Sequence, residues 1–397
     1  MNLLLRNVRP GGGDPTDVLV RDGRIAGFGP AAAVPADVAA DVPADVPVED
    51  GGGALLLPGL VDAHCHLDKT LWGLPWAPNT SGSVLADRIS NEQRRRKEFG
   101  LPSPEPAAAL LDTMIANGTS FVRTHTDVDP ELGLSGIEAV REAAARHRGR
   151  VTVEQVAFPQ GGLLTRPGTL ELLERAVASG VENVGGIDPA GYDRDPRGHL
   201  DAIFDLAARH GCGVDLHLHD EGPLGAWEIE LIIERTKALG LAGKVAIGHA
   251  FGICGIPDAQ QDRLIEGLAE QQITLTTAAV YDRPVPPLAK MHAAGANVAC
   301  GNDGIRDLWG PYGDGDMLTR AMHLAYRSSF RTDPEIELAL HAATYGGAKA
   351  LRLNDYGLRV GDHADFFLVD TAYPAEAVVS HPPRRLVVKG GAIVSRR

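Results

Sequence analysis

His64-Cys65-His66 sets two imidazoles two residues apart, and in extended chain such neighbours share a face, so both rings can grip one cation. Alone that pattern is weak. It gains force because His217, His249 and Asp303 each fall at the end of a separate apolar run farther along. Neutral imidazoles joined by one carboxylate suit a single divalent ion, Zn²⁺ or Fe²⁺, and leave a coordination position for water. Cys65 alternates to the opposite face and reads as a small core residue rather than a thiolate ligand.

Eight strand-like runs carry these groups: LLLPGLVDAHCH, SFVRTHTD, VTVEQVAF, VENVGGID, GVDLHLH, KVAIGHA, ITLTTAA and NVACGND. Between them, stretches such as TLELLERAVASG, DAIFDLAARHG and AWEIELIIERTKALG carry apolar residues at helical spacing and close on Gly180, Gly211 and Gly240. Eight strands alternating with helices predict an α/β fold, a (β/α)8 barrel over residues 57–352. His64, His66, His125, Asp188, His217, His219, His249 and Asp303 all lie at the C-terminal ends of those strands, the face on which barrels build active sites. His125 reads as a packed strand residue rather than a ligand. Residues 1–56 and 353–397 alternate apolar and polar positions around turn glycines, which predicts a small β-sandwich built from both termini. The repeat of Ala, Asp, Val and Pro over 31–49 reads as a surface loop, and the long stretch 71–106 as a lid or an oligomer interface.

Of 397 residues 44% are apolar, enough for one large core, and the formal charge of −14 argues against nucleic-acid or anionic-membrane partners. The basic run Arg94-Arg95-Arg96-Lys97 is flanked by Glu92 and Glu98 and reads as a solvated helix face. Four dispersed cysteines without a C-x-x-C pair, no signal-like N-terminus and no long apolar run predict a cytoplasmic protein. A small heterocyclic substrate and further copies of the chain, as a homo-oligomer, are the expected partners.

The run PGLVDAHCHLDK resembles the first-strand signature of the amidohydrolase superfamily, and the ordered set H-x-H, His217, His249, Asp303 resembles its mononuclear members. Dinuclear members carry a bridging carboxylated lysine at the end of the fourth strand, where this chain has Asp188 in GGIDPAG, which favours one metal. RTHTDVD, VAFPQGG and GNDGIRDLW resemble the cytosine deaminase group. Its cytosine-acting members place a glutamate proton shuttle three residues after the fifth-strand histidine. Here that place holds Asp220, between His219 and Glu221, an arrangement similar to the triazine branch.

The resemblance implies one divalent ion per subunit, Zn²⁺ before Fe²⁺, held by His64, His66, His217 and Asp303. Hydroxide formed at the ion attacks a ring carbon and releases ammonia or an alkylamine from a cytosine-, ammelide- or N-alkylammelide-like heterocycle. Asp303 relays the water proton, His219 or Asp220 serves the leaving nitrogen, and His249 steadies the nucleophile or the oxyanion. Lys69, Gln160, Asp188 and Trp309 are the substrate contacts the resemblance points to, with Lys69 alternatively an ion-pair partner of Asp68. Competing expectations are a cyclic amidohydrolase that opens a hydantoin- or lactam-like ring and a barrel without catalysis.

Overall fold

The computed structural model describes residues 1–29, 46–80, 82 and 84–397, without the side chains of 85 and 86. Most of the predicted 31–49 loop lies outside the described residues, and its last two belong to a strand.

Both termini build one seven-stranded sheet. Its strands are β1 (Leu3–Pro10), β2 (Thr16–Arg21), β3 (Arg24–Phe28), β4 (Val48–Pro58), β13 (Phe366–Val369), β14 (Arg384–Lys389) and β15 (Ala392–Arg396), in the order β15-β14-β13-β4-β1-β2-β3. Neighbours are antiparallel except β1 and β4, which pair in parallel. β3 bonds to residues just ahead of β13, Ile25 N–H to Asp362 O at 2.9 Å and Ala364 N–H to Gly23 O at 2.8 Å, so the sheet folds round its own core. Strand alternation decides what each face covers. Ala54, Leu56, Phe366 and Leu368 close that inner core, while Leu55, Leu57, Phe367 and Val369 join the core of the barrel.

The barrel strands are β5 (Leu60–Cys65), β6 (Thr119–Asp127), β7 (Thr152–Phe158), β8 (Asn183–Ile187), β9 (Gly213–Leu218), β10 (Val245–His249), β11 (Thr274–Thr277) and β12 (Asn297–Cys300). Each of the eight expected runs holds one of them, in sequence order and parallel, with helices between. Closure falls at the proposed ligands: Cys65 and Asp303 form a parallel bridge, and Asp303 N–H donates to His64 O at 2.8 Å. A Cβ at Gly301 would stand 2.3 Å from His64 O, so only glycine lets β12 approach β5 this closely.

The 71–106 stretch lies along the loop after β12. Leu71 N–H donates to Arg306 O and the Arg306 guanidinium to Leu74 O, each at 2.8 Å, and Leu71, Leu101 and Leu308 share an apolar cluster. The basic run corrects one expectation. Arg96 is buried, bonded to Asp129 at 3.2 Å and Glu131 at 3.1 Å, because a 3₁₀ turn after the helix Leu85–Arg95 rotates it inward. The four cysteines are free, and among the described residues no helix is long and apolar enough to cross a membrane.

Candidate metal centre and active site

β5, β9 and the turn after β12 bring His64, His66, His217 and Asp303 together so that one ligand atom from each lies within 4.8 Å of the others. His66 Nε2 stands 3.4 Å from His217 Nε2 and 3.3 Å from Asp303 Oδ1, and His64 Nε2 lies 3.8 Å from the same oxygen. Tetrahedral ligation with bonds of roughly 2.0–2.1 Å requires ligand separations of roughly 3.3–3.4 Å. The nitrogen inventory also fits a cation. His66 Nδ1 has the His125 carbonyl at 3.2 Å as acceptor, which leaves Nε2 as a lone-pair donor facing His217 Nε2. Both ring nitrogens of His64 are buried without a hydrogen-bond partner, a costly state, and an ion held at Nε2 would give that nitrogen a partner.

Electrostatics act in the same sense. Burial first, then neighbouring imidazoles, hold the pKa of His64, His217 and His249 well below the usual histidine value, so the rings are neutral donors. Burial alone would raise Asp303, yet His66, with Nε2 3.3 Å from Oδ1, and the surrounding histidines hold it well below the carboxylate range. The backbone at the site is strained: Asp188, His249 and Asp303 occupy left-handed φ values of 35°, 66° and 62°, a cost that persists only where the surroundings over-determine it.

A second layer fixes these ends. Asp62 accepts from Asn302 Nδ2 at 2.7 Å and from the Asn302 and His64 backbone N–H groups at 3.1 and 3.2 Å, tying the residue before Asp303 to the strand of His64. Beneath His64, the ring of His125 lies 4.2 Å away between centroids, and Asp215 bridges toward it from Arg123, with Arg123 Nη1 to Asp215 Oδ2 at 2.9 Å. Phe158 stacks on His217 at 4.1 Å and supplies an apolar wall.

A cavity of about 920 Å³ opens over the cluster and is lined by His66, His217, His219, His249 and Asp303 among others. Asp188 holds His219 twice, accepting from its backbone N–H at 2.6 Å and lying 2.9 Å from Nδ1. Burial opposes charge on His219, but Asp188 overcomes it and raises the pKa. His249 stacks on His219 at 4.4 Å. Asp220 is not among the lining residues; its carboxylate accepts from Gly191 N–H at 3.0 Å. Lys69, Gln160 and Trp309 do line the cavity. Lys69 Nζ donates to Gln160 Oε1 at 2.6 Å and to Asp127 Oδ1 at 2.7 Å, so its ion-pair partner is Asp127 rather than Asp68. Burial disfavours that ammonium, and Asp127 and Glu92 more than offset it. The indole N–H of Trp309 donates to Glu92, whose Oε2 lies 3.7 Å from Lys69 Nζ.

All four expected ligands therefore converge, as do His219, His249, Lys69, Gln160 and Trp309, while Asp188 and Asp220 stand behind the cavity wall. The sequence reading missed Asp62, Glu92, Asp127 and Glu228, the last of which accepts from Ala190 N–H at 2.8 Å in the turn after Asp188. Only Asp62 carried a legible signal, as an acid inside the largely apolar strand β5, whereas Asp127 ends a strand, TSFVRTHTD, that is polar along most of its length.

The amidohydrolase family model matches residues 93–395. A curated relative, N-isopropylammelide isopropyl amidohydrolase of Pseudomonas sp. (strain ADP), is 30% identical over 87% of both chains. The solved structure of N-isopropylammelide isopropylaminohydrolase from Burkholderia multivorans ATCC 17616 is 44% identical, covers 100% of this chain and 98% of its own, and superposes with a TM-score of 0.94. That of 5-methylcytosine deaminase from Klebsiella pneumoniae, liganded with 5-fluorocytosine, is 25% identical over 100% and 98% of the two chains, with a TM-score of 0.83. The chain belongs to the amidohydrolase family, as a hydrolase of carbon–nitrogen bonds other than peptide bonds.

Proposed function

We propose that the protein is a mononuclear metal-dependent aminohydrolase that cleaves an exocyclic C–N bond of a small nitrogen heterocycle, of cytosine, ammelide or N-alkylammelide type, and releases ammonia or an alkylamine. The convergence of His64, His66, His217 and Asp303 at the floor of the cavity carries this reading. Its similarity to enzymes named for ammelide and methylcytosine substrates supports the ring class. Zn²⁺ is the expected ion, because three imidazoles and one carboxylate are its habitual ligands. Such an ion supplies a Lewis acid and a water acidified toward neutrality.

The chain's own groups do the rest. Asp303 accepts a proton at its carboxylate and holds it close to the reacting centre. His219, with Nδ1 bound to Asp188, offers Nε2 to protonate the departing nitrogen. His249, neutral and stacked on His219, donates toward the oxygen that gains charge on the ring. Lys69 and Gln160, bonded to each other, present donors to a ring carbonyl, and Trp309 forms a flat wall for the ring.

Amine release from cytosine, isocytosine, ammelide, N-alkylammelides, creatinine and hydantoins, with zinc-loaded and iron-loaded protein, tests the reading. Amine from an aminopyrimidine or aminotriazine with the ring intact is expected. Ring opening of a hydantoin without amine release would overturn it.

A further inference from the structure

The cavity is larger than the chemistry at its floor requires. Volumes up to ~1,000 Å³ serve drug-sized ligands, and this one, at about 920 Å³, extends beyond the metal cluster to Arg88, Tyr281, Tyr312 and Arg327. That outer space has a character of its own. Along the helix Met317–Arg327, Arg320, His323 and Arg327 recur at i, i+3 and i+7 and all line the cavity, so one helix face looks into it. Arg88 lines the cavity too and lies over the Tyr281 ring at 5.9 Å.

In a chain of net charge −14, the partners of these guanidinium groups are conspicuous. Arg88 Nε donates to Gly82 O at 3.2 Å. Arg327 donates to the carbonyls of Val280, Tyr281 and Arg283. Arg320 donates to the carbonyls of Ala278 and Asn302; it is only 8% exposed, and its Nε has no partner. Among the described residues none of the three pairs with a carboxylate, whereas the neighbouring Arg283 is bound to Glu221 at 2.7 Å.

The acids on the same walls are otherwise engaged. Asp307 accepts from the N–H groups of Trp309 and Gly310, Asp314 from Thr319 and the Asp316 N–H, and Asp282 is 93% exposed. Asp62, below the cavity, is engaged by Asn302, whose Nδ2 donates to it at 2.7 Å. Tyr281 stands at the mouth with φ 47°, in a loop whose carbonyls Arg327 holds, and Tyr312 meets it edge-on at 6.0 Å. Uncompensated guanidinium groups beside amphipathic rings make a receptor for an anionic extension of a ligand.

We propose that this outer chamber binds a carboxylate carried on the substituent of the heterocycle, so that the preferred substrate is an acid-bearing N-substituted aminoheterocycle rather than a neutral alkyl one. The inference rests on the aminohydrolase reading for which end of the substrate reaches the floor.

Matched pairs of N-(carboxyalkyl)ammelides and N-alkylammelides of equal chain length test it on the zinc-loaded protein. The acid member should be favoured in kcat/KM by roughly tenfold or more, and the preference should weaken with added salt. Arg327→Gln and Arg88→Gln should each reduce the ratio of acid to neutral rates. Arg88, bonded to a single carbonyl, keeps the test readable should Arg327→Gln disturb the loop it holds. Equal or better turnover of the neutral member, or a ratio unmoved by both substitutions, overturns the proposal. If no pair releases amine, the reaction reading fails by itself. Calorimetric Kd values for the same pairs then decide the chamber: tighter binding of the acid supports it, and equal binding overturns it.

Discussion

His219 owes its orientation to groups that never reach the cavity. Its partner Asp188 sits at a strained left-handed position, and the turn that follows is held by two carboxyls: Glu228 accepts from Ala190 N–H at 2.8 Å and Asp220 from Gly191 N–H at 3.0 Å. Glu228 is fully buried, and burial together with Asp220 pushes its pKa up to about 8. The folded chain thus holds this proton more tightly than the unfolded one, whose glutamate titrates near 4.5. The resulting stability is complete below pH 4.5 and is lost as the pH rises through about 8. Glu228→Gln, which keeps the shape of the protonated acid, should flatten the fall of thermal midpoint across that window; a slope equal to the parent's would contradict the protonation. Glu228→Ala frees the turn, and kcat should drop roughly ten- to hundredfold with KM little changed, while Glu228→Gln retains most activity.

These supporting contacts were the part of the site that resisted reading from the chain. Strand periodicity made His64 and His66 legible because the relation is local. Asp62 and Asn302 lie 240 residues apart, and nothing short-range couples Glu228 on its helix to Ala190. Arg96 misled for a similar reason: its acids, Asp129 and Glu131, come from another βα unit.

The strands themselves were easier to foresee. The barrel strands appear as short, mostly buried runs that carry polar groups such as His64, His217 and His249 close to their C-terminal ends. How tightly neighbouring strands approach was not legible, and it matters at Gly248 on β10. A Cβ there would stand 2.8 Å from His64 Cε1 and 3.1 Å from Nδ1, so the bare backbone makes room for the ligand ring. Gly248→Ala should tilt His64 and weaken metal affinity roughly ten- to hundredfold, with the barrel still folded. Competition with a calibrated chelator measures this, and unchanged affinity would remove the steric argument.

Across the whole molecule, the terminal sheet and the barrel share one apolar junction instead of touching through a linker. β4 ends at Pro58, β5 begins at Leu60, and Leu57 pairs with Phe367 across β4 and β13 while both residues face the barrel core. The two-termini origin of the sheet followed from strand patterns at each end, whereas the parallel β1–β4 pairing did not, since sequence alternation carries no direction. Phe367 is completely buried, and Phe367→Ala should cost about 3–5 kcal/mol in urea unfolding, with sheet and barrel still melting together. A separate early transition would show that the junction is not shared.

Metal content bears most directly on the central claim. Elemental analysis of the purified protein after exhaustive dialysis should find about one divalent ion per chain, the stoichiometry of a single four-ligand site. His64→Ala and His217→Ala should each lose it, and amine release from chelated wild-type protein should return on adding Zn²⁺. Full amine release from protein stripped of metal, or an undiminished ion in both histidine variants, would contradict a cation held by His64, His66, His217 and Asp303.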